Sequence, residues 1–222
     1  MRRSAGHARL IPDDARGREA AIEVLRTGGL VAMPTDTVYG VGVALSAEGG
    51  LQRLFAAKDR PLDRAIVLLV DDLGQAGSVG LFSPAVRLLA GRFWPGGLTI
   101  VLAQAPEAAL PAVLTAGAAT IGVRVPDHDC PRDLARVLGP LPVTSANLSG
   151  RPEAFDAAAV LAQLGGRVDL VLDGGRILGG TASTVIDCSG ALPRILRVGA
   201  IEPVRLAAAL DEAGIGHAIE RT

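Results

Sequence analysis

Residues 28–40 read GGLVAMPTDTVYG, and their pattern predicts the first elements of the fold. The apolar part of this stretch, Leu30–Met33, is short and ends at Pro34, a pattern that predicts a buried β-strand. The preceding residues 15–26 carry alanine, valine and leucine at helical spacing and stop at the glycine pair, which predicts a helix that ends there. The residues that follow the strand, 35–42, are polar and glycine-containing, and they predict a junction.

Apolar runs and helical patterns continue to alternate along the rest of the chain. Further strands are predicted at 65–70, 98–103, 120–125, 143–144, 170–172, 183–187 and 195–198. Further helices are predicted at 48–58, 84–93, 131–138, 156–164 and 203–213. This interleaving predicts an α/β fold with helices on the faces of a sheet, and because several strands follow one another directly, the sheet is expected to be mixed, twisted and open. Residues 1–14 are expected to form a flexible leader, and 15–222 a single domain.

The composition limits the class of protein. The chain is 49% hydrophobic but only 3% aromatic, so its core is expected to be built from aliphatic side chains. A formal net charge of −1 gives no overall basic field for nonspecific nucleic-acid binding, although the arginines could cluster locally. Two distant cysteines, no signal-peptide pattern and no apolar stretch of membrane-spanning length predict a cytoplasmic protein without membrane contact.

Four residue types occur once each, as Lys58, Asn147, Tyr39 and Trp94. All other basic side chains are arginine, so a lone lysine is informative. All four residues lie in segments punctuated by glycine or proline, and not in the middle of a predicted element. Each of the four is therefore interpreted as lying in a segment of a functional site, the alternative being that rare residues fall there by chance.

Three polar junctions carry candidate site residues. The hydroxyls of Thr35 and Thr37 follow a buried strand, where α/β sheets bind ligands, but such hydroxyls also hold local turns. Ser145 and Asn147 follow a second strand, and they are expected either to share a face towards a nucleotide or to form the N-cap turn of a helix.

Basic residues form the other half of the candidate site. Lys58 and Arg60 would face the same side of an extended segment and suit phosphate groups, although basic residues also favour a solvated helix end. Arg124 stands between valines in a predicted strand, so it either pairs with a buried carboxylate or meets an anionic ligand. The chain has no phosphate-binding GxxxxGK[ST] loop, GxSxG elbow or HExxH pair. Catalysis by positioning and charge stabilisation is therefore the chemistry that these residues fit.

Several runs of sequence, in this order, are similar to the YrdC/Sua5 family of L-threonylcarbamoyladenylate synthases. They are the opening stretch 28–40, FWPG at 93–96, RVPDH at 124–128, SANLSG at 145–150, STVID at 183–187 and ILR at 195–197. The resemblance covers roughly residues 15–205. It implies a YrdC-like fold with a concave, basic surface.

The same resemblance implies that L-threonine, bicarbonate and ATP condense to threonylcarbamoyl-AMP and pyrophosphate, for the threonylcarbamoyladenosine modification of tRNA. Mg2+ is expected through the ATP phosphates, with no metal site of the protein's own. Contact with tRNA and with a downstream tRNA threonylcarbamoyl transferase complex is also implied. By resemblance the catalytic residues are Lys58, Arg60, Ser145 and Asn147. The same four residues would bind ATP, together with Thr120 and Arg197. The residues that would bind threonine are Thr35, Thr37, Arg124 and Ser183.

The chain departs from the family pattern at a few positions. Ala65 and Ile66 stand where a Pro-Leu pair is usual, Leu69 where a histidine is common, and Gly97 where a proline is usual. The chain also ends soon after the synthase-like region, so the additional C-terminal domain of longer members is not expected. Two alternatives remain open: a carbamoyl-adenylating relative with another acceptor, and a non-catalytic RNA-binding module.

Overall fold

A computed structural model describes residues 7–178 and 180–220 of the chain. The strands are β1 (Arg9–Pro12), β2 (Val31–Met33), β3 (Gly40–Gly42), β4 (Val67–Leu69), β5 (Leu98–Ala103), β6 (Thr120–Arg124), β7 (Leu141–Ser145), β8 (Leu170–Asp173), β9 (Thr184–Asp187) and β10 (Arg194–Arg197). The helices are α1 (Ala15–Arg26), α2 (Gly50–Ala57), α3 (Leu73–Val79), α4 (Pro84–Phe93), α5 (Ala112–Thr115), α6 (Asp129–Leu138), α7 (Ala157–Leu164) and α8 (Pro203–Glu212).

The strands form one mixed sheet in the order β1-β8-β2-β3-β7-β4-β6-β5-β9-β10. Strands β1 and β2 run parallel to β8, β4 runs parallel to β6, and β5 runs parallel to β9. The other neighbours are antiparallel. The predicted mixed α/β sheet is therefore confirmed. In the part of the chain that the structure describes, no helix is long and apolar enough to cross a membrane.

Four elements differ from the sequence predictions, one of them the short helix α5, for which no helix was predicted. Strand β3 lies within the predicted junction 35–42, because the short Gly-Val-Gly segment is held as a strand by β2 and β7 on either side. Strand β1 lies within the predicted leader 1–14, so the expectation of a flexible segment is wrong for residues 9–12, which pair with β8. Residues 1–6 of that leader lie outside the described residues. Helix α3 was not predicted, because its two glycines interrupt the helical pattern.

Side-chain alternation divides the core into two layers. Val31 and Met33 of β2 join a cluster with α1 and α6, whereas Ala32 points into a larger cluster that includes α2, α4, α7 and α8. Helices α1 and α6 pack against each other and against β2, β8, β4 and β7. On that face of the sheet they leave much of β5, β6 and β9 without a helical cover.

The uncovered face positions the candidate site. On β5, Leu98 and Ile100 are buried in the larger core cluster, while Thr99 and Val101 line an open cavity on the other face. The alternation on β6 likewise places Arg124 on the cavity side. The expectation that helices cover both faces is therefore only partly met, because the cavity occupies the part of one face that they leave open.

Candidate active site

A cavity of about 450 Å3 lies over the uncovered face of the sheet. Most of the predicted site residues line this cavity, although they come from segments that are distant in the chain. Those that line it are Thr35, Thr37, Arg60, Thr120, Arg124, Ser145, Ser183 and Arg197. Two predicted residues, Lys58 and Asn147, are buried and do not line it. The cavity extends over the strands, and is not confined to their ends as the sequence suggested.

Arg124 is held in place by three protein partners. Its guanidinium donates to the Gly96 carbonyl and to the Thr37 hydroxyl, both at 2.8 Å, and to the Asp36 carboxylate at 2.6 Å. Burial lowers the pKa of Arg124, and the charge of Asp36 opposes that effect. The alternative in which Arg124 pairs with a carboxylate is thus correct. A guanidinium has five N–H donors, so Arg124 can still meet a ligand in the cavity.

The hydroxyl of Thr35 forms hydrogen bonds within its own turn. It accepts a hydrogen bond from the Thr37 amide at 3.1 Å and donates to the Val38 carbonyl at 2.7 Å. Local turn formation, one of the two alternatives, is therefore observed for Thr35. The Thr37 hydroxyl lies 3.1 Å from that of Thr35 and accepts from Arg124, so this turn orients the arginine.

Ser183 and Arg197 form a second polar patch in the cavity. Arg197 donates to the Ser183 carbonyl at 2.8 Å and to the Ser183 hydroxyl at 3.2 Å. The same hydroxyl lies 2.8 Å from the hydroxyl of Thr99. A residue assigned to ATP by resemblance thus contacts one assigned to threonine, so the two predicted subsites would adjoin here.

Lys58 and Arg60 do not face the same side. Lys58 forms the C-cap of α2, and the next residue, Asp59, has a left-handed φ of 50°. This sharp turn leaves Lys58 1% exposed, whereas Arg60 lines the cavity. The expectation of an extended segment is wrong, because Lys58 still belongs to the C-terminal turn of α2.

The ammonium of Lys58 holds the turn after β7. It donates to the backbone carbonyls of Ser145 and, at 2.5 Å, of Asn147. Burial and the nearby charge of Arg60 lower the pKa of Lys58 to about 7, while Glu153 acts in the opposite direction. Lys58 therefore does not face the cavity, but it holds the backbone of the turn that carries Ser145, which does.

Arg60 makes no ion pair among the described residues. It donates to the backbone carbonyls of Arg64 at 3.2 Å and Ala65 at 2.8 Å. Burial and the charge of Arg64 lower its pKa. A guanidinium that is held by carbonyls but has no carboxylate partner in the described structure is suited to bind an anion.

Ser145 and Asn147 also separate. Ser145 lines the cavity, whereas Asn147 is 6% exposed and donates from its amide to the carbonyls of Leu148 at 3.0 Å and Arg151 at 2.7 Å. The amide oxygen of Asn147 is buried and has no partner within the described residues. The expectation of a shared face is wrong, and so is the N-cap alternative, because the following helix α7 is capped by Asp156.

Two cavity residues were missed in the sequence. Thr99 is the one polar residue in the apolar run of β5, LTIVLA, and this isolated hydroxyl could have identified it. Glu153 lies in an irregular loop, where no periodic pattern marks it.

Tyr39 and Trp94, which occur once each, hold backbone segments in place. The Tyr39 hydroxyl donates to the Gly175 carbonyl at 2.8 Å, and the Trp94 indole donates to the Leu98 carbonyl at 2.6 Å.

Comparisons with known proteins identify the family. Residues 23–199 match the model of the Sua5/YciO/YrdC family, which is described as "Telomere recombination". The chain is 37% identical over 192 residues to the threonylcarbamoyl-AMP synthase of Bacillus subtilis, covering 86% of this chain and 55% of that protein. It is 33% identical over 184 residues to the threonylcarbamoyl-AMP synthase of Pseudomonas savastanoi, covering 82% of this chain and 96% of that protein.

A solved structure shows the same fold. The crystal structure of Pyrococcus abyssi Sua5 complexed with L-threonine matches with a TM-score of 0.85 and 32% identity, over 96% of this chain and 62% of that one. The chain thus spans less than two thirds of the Bacillus and Pyrococcus proteins and nearly all of the Pseudomonas protein. On the extent of the family match and of these identities, this chain belongs to the Sua5/YciO/YrdC family.

Proposed function

We propose that the protein is an L-threonylcarbamoyladenylate synthase, which converts L-threonine, bicarbonate and ATP into threonylcarbamoyl-AMP and pyrophosphate. The observation that carries the proposal is that Arg60, Arg124 and Arg197 line one cavity together with several hydroxyl groups. The names of the Bacillus and Pseudomonas relatives and the threonine complex of the Pyrococcus protein support it. The product would serve the threonylcarbamoyladenosine modification of tRNA.

The threonine subsite is proposed around Arg124. Its guanidinium is oriented by Asp36 and Thr37 and retains N–H groups for a carboxylate. The hydroxyls of Thr37 and Ser183 lie in the same cavity and can bind the polar groups of the amino acid. Leu69 lines the cavity where related proteins often carry histidine, so any contact from that strand is apolar in this chain.

The phosphate subsite is proposed around Arg60 and Ser145. Arg60 has no acidic partner among the described residues, and the Ser145 hydroxyl likewise has no described protein partner. The turn that carries Ser145 is fixed from below by Lys58. Thr120 and Arg197 line the same cavity and are proposed to contact the nucleotide.

The reaction has two bond-forming steps. The threonine amine attacks the carbon of CO2 and loses a proton to give a carbamate; when bicarbonate is attacked instead, its C–OH bond breaks and the hydroxyl leaves as water. A carbamate oxygen then attacks the α-phosphorus, the bond to the bridging oxygen breaks, and pyrophosphate leaves with the negative charge. Arg60 would stabilise the growing charge on the phosphoryl oxygens, and Arg124 would keep the amino acid in line for attack.

Mg2+ is expected to accompany ATP, where it neutralises charge on the phosphate oxygens. The donor set of the cavity fits this ion, because hydroxyl oxygens such as Ser145 Oγ and the Glu153 carboxylate line it beside the arginines. Contact with tRNA, transfer through a downstream transferase complex, and a cytoplasmic location are proposed with the same function.

Pyrophosphate release tests the proposal. It should require threonine, bicarbonate and ATP together, and omission of any one should abolish it. Turnover with carbamoyl phosphate but without threonine would favour a carbamoyl-adenylating relative with another acceptor. Salt-sensitive RNA binding without any ATP turnover would favour the non-catalytic module.

A further inference from the structure

One carboxylate stands among the arginines of the cavity. Of the described residues that line it, Glu153 alone is acidic. Arg124 already pairs with Asp36, and Arg197 bonds to Ser183. Within the described structure Glu153 forms no hydrogen bond or ion pair, although Arg60 lines the same cavity. Glu153 is only partly exposed, so a cation or hydrogen-bond donor beside its carboxylate would compensate for the hydration it has lost.

The backbone around Glu153 is firmly held. Carbonyl oxygens of the three adjoining residues accept hydrogen bonds: Arg151 from Asn147 Nδ2 at 2.7 Å, Pro152 from Gln163 Nε2 at 3.0 Å, and Ala154 from the Tyr39 amide at 2.9 Å. A loop whose backbone is already fixed loses little backbone conformational entropy when it binds a ligand. The unique asparagine thus anchors the loop that carries Glu153.

The position of Glu153 identifies the neighbours of its carboxylate. Its charge raises the pKa of Lys58, the residue that holds the turn of Ser145. The hydrogen bond from Asn147 to the carbonyl of Arg151, two residues before Glu153, also places this loop beside the turn of Ser145. Glu153 therefore lies near the end of the cavity where phosphates are proposed to bind. A carboxylate there repels a polyphosphate, unless a cation lies between them. Mg2+ is commonly bound in this way, by one or two carboxylates together with the phosphates of the substrate.

We propose that the Glu153 carboxylate binds the divalent cation that accompanies the nucleotide phosphates, either directly or through a bound water. This inference rests on the proposed function, because the phosphates complete the cation site. It replaces the expectation that the protein contributes no metal ligand. The competing role is a hydrogen bond to a ribose hydroxyl, which would not depend on a cation.

Binding of Mn2+ and of α,β-methylene-ATP separates these roles. The variants are Glu153→Gln and the matched control Glu107→Gln, an exposed glutamate outside the cavity. Electron paramagnetic resonance reports Mn2+ affinity in the ternary complex, and calorimetry with EDTA reports nucleotide affinity without metal. Glu153 makes no hydrogen bond or ion pair in the described structure, so the substitution removes only its electrostatic effect on Lys58, and circular dichroism will verify the fold.

The expected result has opposite signs in the two conditions. Glu153→Gln should weaken Mn2+ binding in the ternary complex by roughly tenfold. Without metal it should bind the nucleotide more tightly than the wild type, because the repulsion is gone. Glu107→Gln should match the wild type in both experiments.

Two results would overturn the inference while leaving the proposed function intact. One is equal Mn2+ affinity in Glu153→Gln and wild type. The other is weaker nucleotide binding in Glu153→Gln both with and without metal, which would indicate the ribose contact. A wild-type protein that binds no nucleotide under either condition would overturn the proposed function as well.

Discussion

The Lys58 ammonium donates a 2.5 Å hydrogen bond to the backbone carbonyl of Asn147, so the unique lysine fixes the turn of the unique asparagine. A second bond from the same ammonium reaches the Ser145 carbonyl. Lys58 is 1% exposed and does not line the cavity. It is therefore a positioning residue in this structure, and its effect on nucleotide binding is expected to pass through the Ser145 turn.

The ionisation of Lys58 can be observed directly. Because the chain contains a single lysine, a sample labelled with 13C-lysine gives one side-chain signal to follow. Burial lowers the pKa of Lys58 to about 7, so the signal should titrate near neutral pH. A midpoint above pH 10, as for a solvated lysine, would show that the ammonium is not buried as described.

Stability should depend on pH through the same group. The pKa of Lys58 is about 7 in the folded state and 10.5 in a solvated chain, so between these values the unfolded state binds more protons. The free energy of unfolding of the wild type should therefore rise relative to Lys58→Met from pH 7 to 9.5, by at most about 1.4 kcal/mol per pH unit. Denaturant titrations of both proteins measure this difference, which a constant offset would contradict.

Substitution of Arg124 should act on threonine. Arg124→Lys keeps the charge but loses the planar donor set that joins Asp36, Thr37 and the Gly96 carbonyl. The KM for threonine should rise by about tenfold or more, while the KM for ATP changes little. Arg92→Lys, at a surface ion pair with Glu212, is the matched control. An equal increase in both KM values would contradict the assignment.

Substitution of Arg60 should act on the nucleotide. Arg60→Ala removes a guanidinium with no described carboxylate partner, and affinity for an ATP analogue should fall roughly tenfold to a hundredfold. Calorimetry measures it, with Arg64→Ala as the control in the same loop. The wild type should also lose more affinity with added salt than Arg60→Ala does. If the two Arg variants behave alike, Arg60 has no specific role.

Part of this arrangement follows from local sequence patterns. Alternation in Thr120–Arg124 is enough to place Arg124 on one face of a strand, opposite Ile121 and Val123. The polar runs after β2 and β7 also mark two walls of the cavity. Both features depend on residues close in the chain, which periodicity describes well.

The rest depends on contacts between distant segments. Lys58 binds a carbonyl 87 positions away, so no local spacing could show that it is buried under the turn of Ser145. The left-handed backbone at Asp59 separates Lys58 from Arg60, although an extended segment would have aligned them. Strand β3 is too short to be recognised and exists because its neighbours pair with it. Glu153 enters the cavity from an irregular loop.

Mass spectrometry of the reaction product tests the proposed synthase activity directly. The protein is incubated with ATP, L-threonine and 13C-bicarbonate, and the nucleotide products are separated. The expected product is threonylcarbamoyl-AMP that carries the 13C atom, formed with pyrophosphate, absent without threonine and strongly reduced in Arg60→Ala. Hydrolysis of ATP without a labelled adenylate, or a labelled adenylate that forms equally well without threonine, would contradict the proposed activity.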